Sequence, residues 1–462
     1  MKNFYSFILF FATILSYSQE VTGDWYGNLS AMGSEIGFVF QITKNGDTFS
    51  GTMSVPQQNA NGIPLSSVTF NDNTLIIKFD PAGLNYSGKL NNRQIDGTFS
   101  QNGMTFPLAL TREKPEAKKI NRPQEPKAPF PYESEEVTFE NSLEKITLAG
   151  TFTYPKTKNF PVVILISGSG QQDRNAEIFG HKPFWVIADY LSRNGVGVLR
   201  LDDRGVGKSG GDPSTSTSLN FASDTEAAFQ FLKKNPIVNA KKIGLIGHSE
   251  GGMIAPIVAA KNPSFQFIVL LAAPGIPCDE LLLEQSYLIG KSSGMNETEL
   301  LETKKINQQI YTVVKSEKSN DVALAELESI FFDMYKDDTA FNTLEEKDKK
   351  TVVQQQISPL LIPWYRYFIR YRPEVNLEKI TCPVLVLNGE KDLQVPPQTN
   401  VEGIKKALLK AKNKSVTTKV YPNLNHLFQE CKTGSVEEYG TIEQTFSPQV
   451  LQDIKDWIIK LQ

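Results

Sequence analysis

Two rhythms of apolar and polar residues divide the chain. From Thr22 to Arg112 apolar and polar positions alternate in short runs, the period of a strand with one buried face. "IGFVFQITKNGDTFSGTM" reads as two strands joined by an Asn45-Gly46 turn, and "TLIIKFD", "LNYSGKL", "RQIDGTFS" and "TFPLALTR" continue the pattern. "WYGNL", "FSGTM", "YSGKL" and "IDGTF" form a loose repeat that sets a glycine inside each strand, where a bulge or tight bend is expected. About eight antiparallel strands in a small barrel or sandwich over residues 22–112 are predicted, a packing or interaction module rather than a ligand-binding one. "EKPEAKKINRPQEPKAPFPY" then loses apolar periodicity, and residues 113–131 read as an exposed, semi-stiff linker.

After residue 132 the rhythm changes. "SLEKITLAGTFTYPK" suggests a hairpin. "PVVILISG", "GVGVLRLD", "KIGLIG", "FIVLLAA" and "CPVLVLNG" are continuous apolar runs suited to strands buried on both faces of a parallel sheet, and "TTKVYP" follows as a late strand. "KPFWVIADYLSRNG" and "NFASDTEAAFQFLKKN" between them have helical spacing. Alternating strand and helix predicts an α/β domain over residues 132–462. Residues 276–373 are charged and helix-prone and interrupt it; placed between two core strands, they predict a cap over the C-terminal edge of the sheet.

Composition narrows the classes. Apolar residues make up 40% and charged residues 21% of 462 positions, enough for a sizeable core. A net charge of −3 offers no footprint for nucleic acid. Three scattered cysteines and three histidines suggest neither a disulfide framework nor a metal centre, and no cofactor is implied. The start, "MKNFYSFILFFATILSYSQE", pairs Lys2 with a short apolar run and small residues, the build of a signal peptide over residues 1–18. The expectation is export to the periplasm or beyond, without a stable membrane span. No oligomeric state is implied.

Candidate chemistry centres on "IGLIGHSEGGMIAPIVA". A buried strand runs into a helix with Ser249 at the turn, and Gly247 and Gly251 remove side chains where the turn is tight. The arrangement exposes a hydroxyl at a helix N-terminus, where free N–H groups favour an oxyanion. A serine nucleophile needs a base and the base an orienting acid. His248 is expected to pack beneath the elbow. His181, in "FGHKPF", caps a helix or lines the pocket. His426, in the loop "YPNLNHLF", is the base by elimination. Asp392, just past the strand in "VLVLNGEKDLQVP", is the acid, with Glu390 the rival expected to point outward. The order Ser249, Asp392, His426 is that of the α/β-hydrolase scheme.

"SGSGQQDRN", "IFGHKPF", "DDRGVGKS", "GHSEGG", "NGEKD" and "NHLF" occur in order over some three hundred residues. Together they resemble the α/β hydrolases of the EstD-type esterase and serine aminopeptidase-like group. The resemblance implies an α/β hydrolase fold, a mostly parallel sheet flanked by helices with a cap insertion. The preceding β-rich unit resembles an extra domain found before such hydrolases in some bacteria. The usual His-Gly ahead of the oxyanion position is Ser167-Gly168 here. On this mapping the oxyanion donors are the backbone N–H groups of Glu250 and Ser169, with Gly170 as fallback. The Glu250 side chain is expected to pair with an arginine or to touch substrate. Asp173, Arg174, Asp203 and Arg204 form an ion-pair network on the pocket floor or contact substrate. The activity implied is cleavage of small-molecule carboxylic esters through an acyl-enzyme. The alternatives are an exopeptidase, with Glu250 or acidic cap residues holding an α-amine, and a non-catalytic binding protein.

Overall fold

The computed structural model describes residues 21–462 except 32–33, 56–59, 81–82, 102–103 and 115–120, so the expected signal peptide and part of the expected linker lie outside the described residues. The chain divides into two compact units, residues 1–118 and 119–462.

In the first unit the strands are β1 (Gly23–Ala31), β2 (Ser34–Asn45), β3 (Thr48–Val55), β4 (Ala60–Pro64), β5 (Ser67–Asn71), β6 (Thr74–Phe79), β7 (Leu84–Asn91), β8 (Gln94–Gln101) and β9 (Met104–Thr111). Their order is β2-β1-β9-β8-β7-β6-β5-β3-β4, and a further β2–β3 pairing closes the sheet into a barrel. Nine strands among the described residues exceed the eight expected; β4, "ANGIP", carries Gly62 and Pro64 and lacks an alternating pattern. Burial in β7 alternates residue by residue, and Trp25, Phe40, Leu75, Tyr86, Phe99 and Leu110 help fill the interior. The repeated glycines do not all mark bulges. Gly88 and Gly97 pair in register, and a Cβ at either would lie 2.5 Å from the Tyr86 hydroxyl, so both make room for that ring.

The second unit contains β10 (Glu133–Asn141), β11 (Ile146–Tyr154), β12 (Val162–Ile166), β13 (Gly197–Leu201), β14 (Ile243–His248), β15 (Ile268–Leu271), β16 (Val384–Gly389) and β17 (Val416–Tyr421). They lie in the order β10-β11-β13-β12-β14-β15-β16-β17; β11 pairs antiparallel with both β10 and β13, and the remaining pairs are parallel. Helices α1 (Pro183–Arg193), α2 (Ser218–Lys234) and α3 (Glu250–Lys261) link the early strands. The apolar runs are continuous because both faces are covered. Ile164, Leu245, Ile268 and Val386 pack on one side with Phe229 of α2 and Ile254 of α3. Their neighbours Val163, Ile246, Val269 and Leu385 pack on the other side with Ile187 and Leu191 of α1.

Between β15 and β16 run α4 (Cys278–Ser292), α5 (Glu297–Val314), α6 (Asn320–Met334), α7 (Thr339–Asn342), α8 (Glu346–Ile357), α9 (Pro363–Arg370) and α10 (Glu374–Leu377). They surround a core of their own that includes Val314, Leu327, Phe331 and Val353. Helices α11 (Pro397–Lys410) and α12 (Pro448–Lys460) complete the unit.

The expected exposed linker is not free over its second part. Arg122 donates to the carbonyls of Phe179 (2.8 Å), Gly440 (3.1 Å) and Ile442, and Gln124 bonds to the backbone of Thr445 and Phe446. Low apolar content concealed this docking because polar side chains carry it.

Candidate active site

The end of β14 and the start of α3 leave one residue for the turn. Ser249 takes φ +55° and ψ −119°, a conformation that costs an L-residue about 1–3 kcal/mol and holds the side chain up from the sheet edge. The two glycines of "GHSEGG" make the turn sterically possible: a Cβ on Gly247 would overlap the Gly251 carbonyl, and one on Gly251 would overlap that of Ile166. The loop after β12 lies against the elbow, where a Cβ on Gly168 would lie 3.2 Å from Ser249 Cβ.

The N–H of Glu250 opens α3 and so lacks an intrahelical acceptor. Neither it nor the N–H groups of Ser169 and Gly170 make a backbone hydrogen bond among the described residues. Gly170 has φ +95°. The loop carrying these donors is pinned at both ends by one carboxyl: Asp203 Oδ1 accepts from Ser167 Oγ (2.7 Å) and Oδ2 from Gln172 N–H (3.0 Å). Burial pushes the Asp203 carboxyl up to about 7, with Glu250 and Asp224 adding to the effect and those two bonds opposing it.

Asp392 and His426 meet past the ends of β16 and β17. His426 Nδ1 donates to Asp392 Oδ2 at 2.8 Å. The other carboxylate oxygen accepts the N–H groups of Gln394 (2.9 Å) and Val395 (2.8 Å), and Asn388 Nδ2 reaches Oδ2 at 3.2 Å. With its proton on Nδ1, the imidazole presents the Nε2 lone pair, as a general base requires. Glu390 instead reaches the Asn423 N–H at the surface. The Ser249 hydroxyl makes no hydrogen bond of its own among the described residues. Unliganded sites often close this last bond only with substrate.

His248 does more than pack. Its Nε2 donates to the His426 carbonyl at 2.9 Å, with ring centroids 4.8 Å apart. Burial, with His426 beside it, pushes its pKa down to about 3, so the ring is a neutral donor. Spacing gave no signal for this contact, which joins residues 178 positions apart.

Several expected roles are corrected. Glu250 has no arginine partner among the described residues: its buried Oε1 accepts from Ser218 Oγ (2.6 Å) and Trp364 Nε1 (2.9 Å). His181 neither caps α1 nor lines the small cavity beside the loop; its nitrogens meet Thr445 Oγ1 (3.0 Å) and the Tyr439 carbonyl (2.9 Å). Burial pushes its pKa down to about 4. Arg174 pairs with Asp202 (2.6 Å) and Glu136 (2.6 Å), and Arg204 with Asp224 (2.9 Å) and Glu144 (3.5 Å). Both arginines are thus in ion pairs, the first of their two expected roles, but with acids other than Asp173 and Asp203. Asp173 accepts the N–H groups of Asn175 and Glu177 and shapes its own turn. The cavity itself, about 30 Å³, lies among Ser167, Gly168, Gly170, Asp203 and Glu250.

A strained serine between sheet and helix, ordered ahead of an acid and a histidine on later loops, is the arrangement of one fold family. Residues 161–433 match the family described as alpha/beta hydrolase fold, and the chain belongs to it. Esterase EstD of Thermotoga maritima is 26% identical over 323 residues, covering 68% of this chain and 66% of the esterase. Thiohydrolase apmlB of Arthrinium phaeospermum is 27% identical over 145 residues, covering 31% of this chain and 44% of that protein. The chain therefore spans less than two thirds of the length of either relative. Among solved structures, the alpha/beta hydrolase GrgF of Penicillium is 17% identical, with 71% of this chain and 98% of that one covered at a TM-score of 0.44.

Proposed function

We propose that the protein is a serine hydrolase that cleaves small carboxylic esters through an acyl-enzyme. The observation that carries this reading is the joint placement of the strained Ser249 elbow and the Asp392–His426 pair, bridged by the His248 contact to the His426 carbonyl. His426 Nε2 takes the Ser249 proton as Oγ attacks the ester carbonyl carbon. The tetrahedral oxyanion is held by the N–H groups of Glu250 and Ser169, and losing such a donor typically costs about 3–4 kcal/mol of transition-state stabilisation. The C–O bond to the alcohol then breaks, and the alcohol leaves with the proton from His426. Water, deprotonated by the same nitrogen, attacks the acyl group; the serine leaves with that proton and the acid is released.

Glu250 bears on the exopeptidase alternative. Its Oε1 is taken by Ser218 and Trp364, which argues against a free carboxylate for an α-amine. The N-terminal segment supports export, and no helix among the described residues is long and apolar enough to cross a membrane. Ser249→Ala should abolish cleavage of a short-chain nitrophenyl ester and labelling by a fluorophosphonate, with thermal stability nearly unchanged. Parental turnover in that variant would end the proposal.

A further inference from the structure

Ester cleavage uses the backbone of Glu250 and leaves its side chain without a role, yet that side chain bridges separate elements around the site. Its Oε1 accepts from Ser218 Oγ at the start of α2 and from Trp364 Nε1 on cap helix α9. The Ser169 hydroxyl, on the loop that carries the second proposed oxyanion donor, also lies close enough to this carboxyl to favour its anion. Trp364 in turn stacks on Phe368 of the same helix at 5.5 Å, and Phe368 is buried in the core beneath. One carboxyl therefore belongs to the nucleophile elbow while reaching α2, the cap and the oxyanion loop.

Resting on the hydrolase reading above, we infer that the Glu250 side chain is a positioning residue that couples seating of cap helix α9, through Trp364, to the alignment of the oxyanion donors, through Ser169. Its charge state follows from its surroundings. The carboxyl is buried and forms no ion pair among the described residues, and an unpaired charge there is strongly disfavoured. Burial accordingly raises its pKa against the bonds that favour the anion. The elbow N–H and the Ser169 N–H belong to different segments, β14–α3 and the loop after β12. A fixed bridge between those segments sets the spacing of the donors, and the cap completes the bridge.

The test uses the full chain, p-nitrophenyl acetate and p-nitrophenyl butyrate as substrates, and thermal unfolding as a check on folding. Glu250→Ala should lower kcat by about 100-fold while KM moves by no more than about threefold, the signature of a donor lost from the transition state. Glu250→Gln, whose amide can accept from Ser218 and Trp364 and donate to Ser169, should recover about tenfold or more of that loss. Trp364→Phe should lower kcat by about tenfold in the parent and hardly at all in Glu250→Ala, because the two act as one unit. Parental kcat in Glu250→Ala, equal losses in Gln and Ala variants, or multiplicative effects of the Glu250 and Trp364 changes would each overturn the inference. If Glu250→Ala does not fold, the comparison of Glu250→Gln, Trp364→Phe and their combination decides the same question. A parent that neither turns over esters nor reacts with a fluorophosphonate would remove the hydrolase reading itself; an active parent with indifferent variants removes only this coupling.

Discussion

The residue immediately before the elbow holds the backbone of the residue proposed as base: His248 Nε2 donates to the His426 carbonyl at 2.9 Å. Serine and histidine loops are thereby tied to each other before any substrate arrives. The bond is a neutral one, since burial pushes the His248 pKa down to about 3.

Removing the tie should loosen the histidine loop without touching the chemistry. His248→Ala leaves a carbonyl without its donor, which destabilises by about 1–3 kcal/mol. Displacement of the base should lower kcat by about tenfold or more. Because His248 stays neutral from pH 5 to 8, the ratio of parent to variant kcat should be flat across that range. A ratio that changes with pH would show that His248 acts as a titrating group instead.

Asp392→Asn tests the orientation of the imidazole. The carboxylate accepts four donors in all, the His426 ring among them. An amide nitrogen facing Nδ1 would favour the opposite tautomer, with the proton on Nε2 where the lone pair is needed. A fall in kcat of about 10⁴-fold is expected, with fluorophosphonate labelling slowed in parallel. A loss below tenfold would point to a different acid.

Much of this was legible in the sequence, for reasons that residue patterns can carry. The strands β12, β14 and β16 announce themselves because both sheet faces are covered and apolar residues run almost unbroken. Ser249 is marked by glycines that the turn demands sterically, and His426 by the scarcity of histidines. What stayed hidden depends on partners far along the chain or on which way a side chain points. Glu250 finds Ser218 32 residues away and Trp364 114 residues away. Asp202 and Asp203 are consecutive, yet one faces Arg174 and the other the loop from Ser167 to Gln172. A motif shows that both are acidic, not which one pairs.

Asp203 gives a pH dependence of stability with a definite sign. Its folded pKa is raised to about 7 from an unfolded value of about 3.9, chiefly by burial. Between those values the folded state binds more protons than the unfolded one, so this residue makes stability fall as pH rises from about 4 to 7. Asp203→Asn should remove that contribution. Denaturant unfolding from pH 4 to 8 should show the parent losing stability relative to the variant up to about pH 7, and a constant difference above. A difference that stays constant through this window would mean that Asp203 is already ionised in the folded protein, as it is in the unfolded one. Loss of the carboxyl should also free the loop between Ser167 and Gln172, lowering kcat in the variant at every pH.

Arg122 provides the last test, of the segment read from sequence as a free linker. Its guanidinium donates to three carbonyls, at Phe179, Gly440 and Ile442. The segment from Gly440 to Thr445 is also where His181 finds its partner Thr445. Arg122→Ala in the full chain leaves those carbonyls without their charged donor, and each such bond is worth about 1.5–3 kcal/mol where buried. Because the site is partly exposed, water replaces some of it, and a loss of about 2–3 kcal/mol is expected by denaturant unfolding of the hydrolase unit. Arg122→Lys should recover little, since one ammonium cannot span three acceptors set for a planar fork. Parental stability in Arg122→Ala would mean that the segment merely lies on the surface.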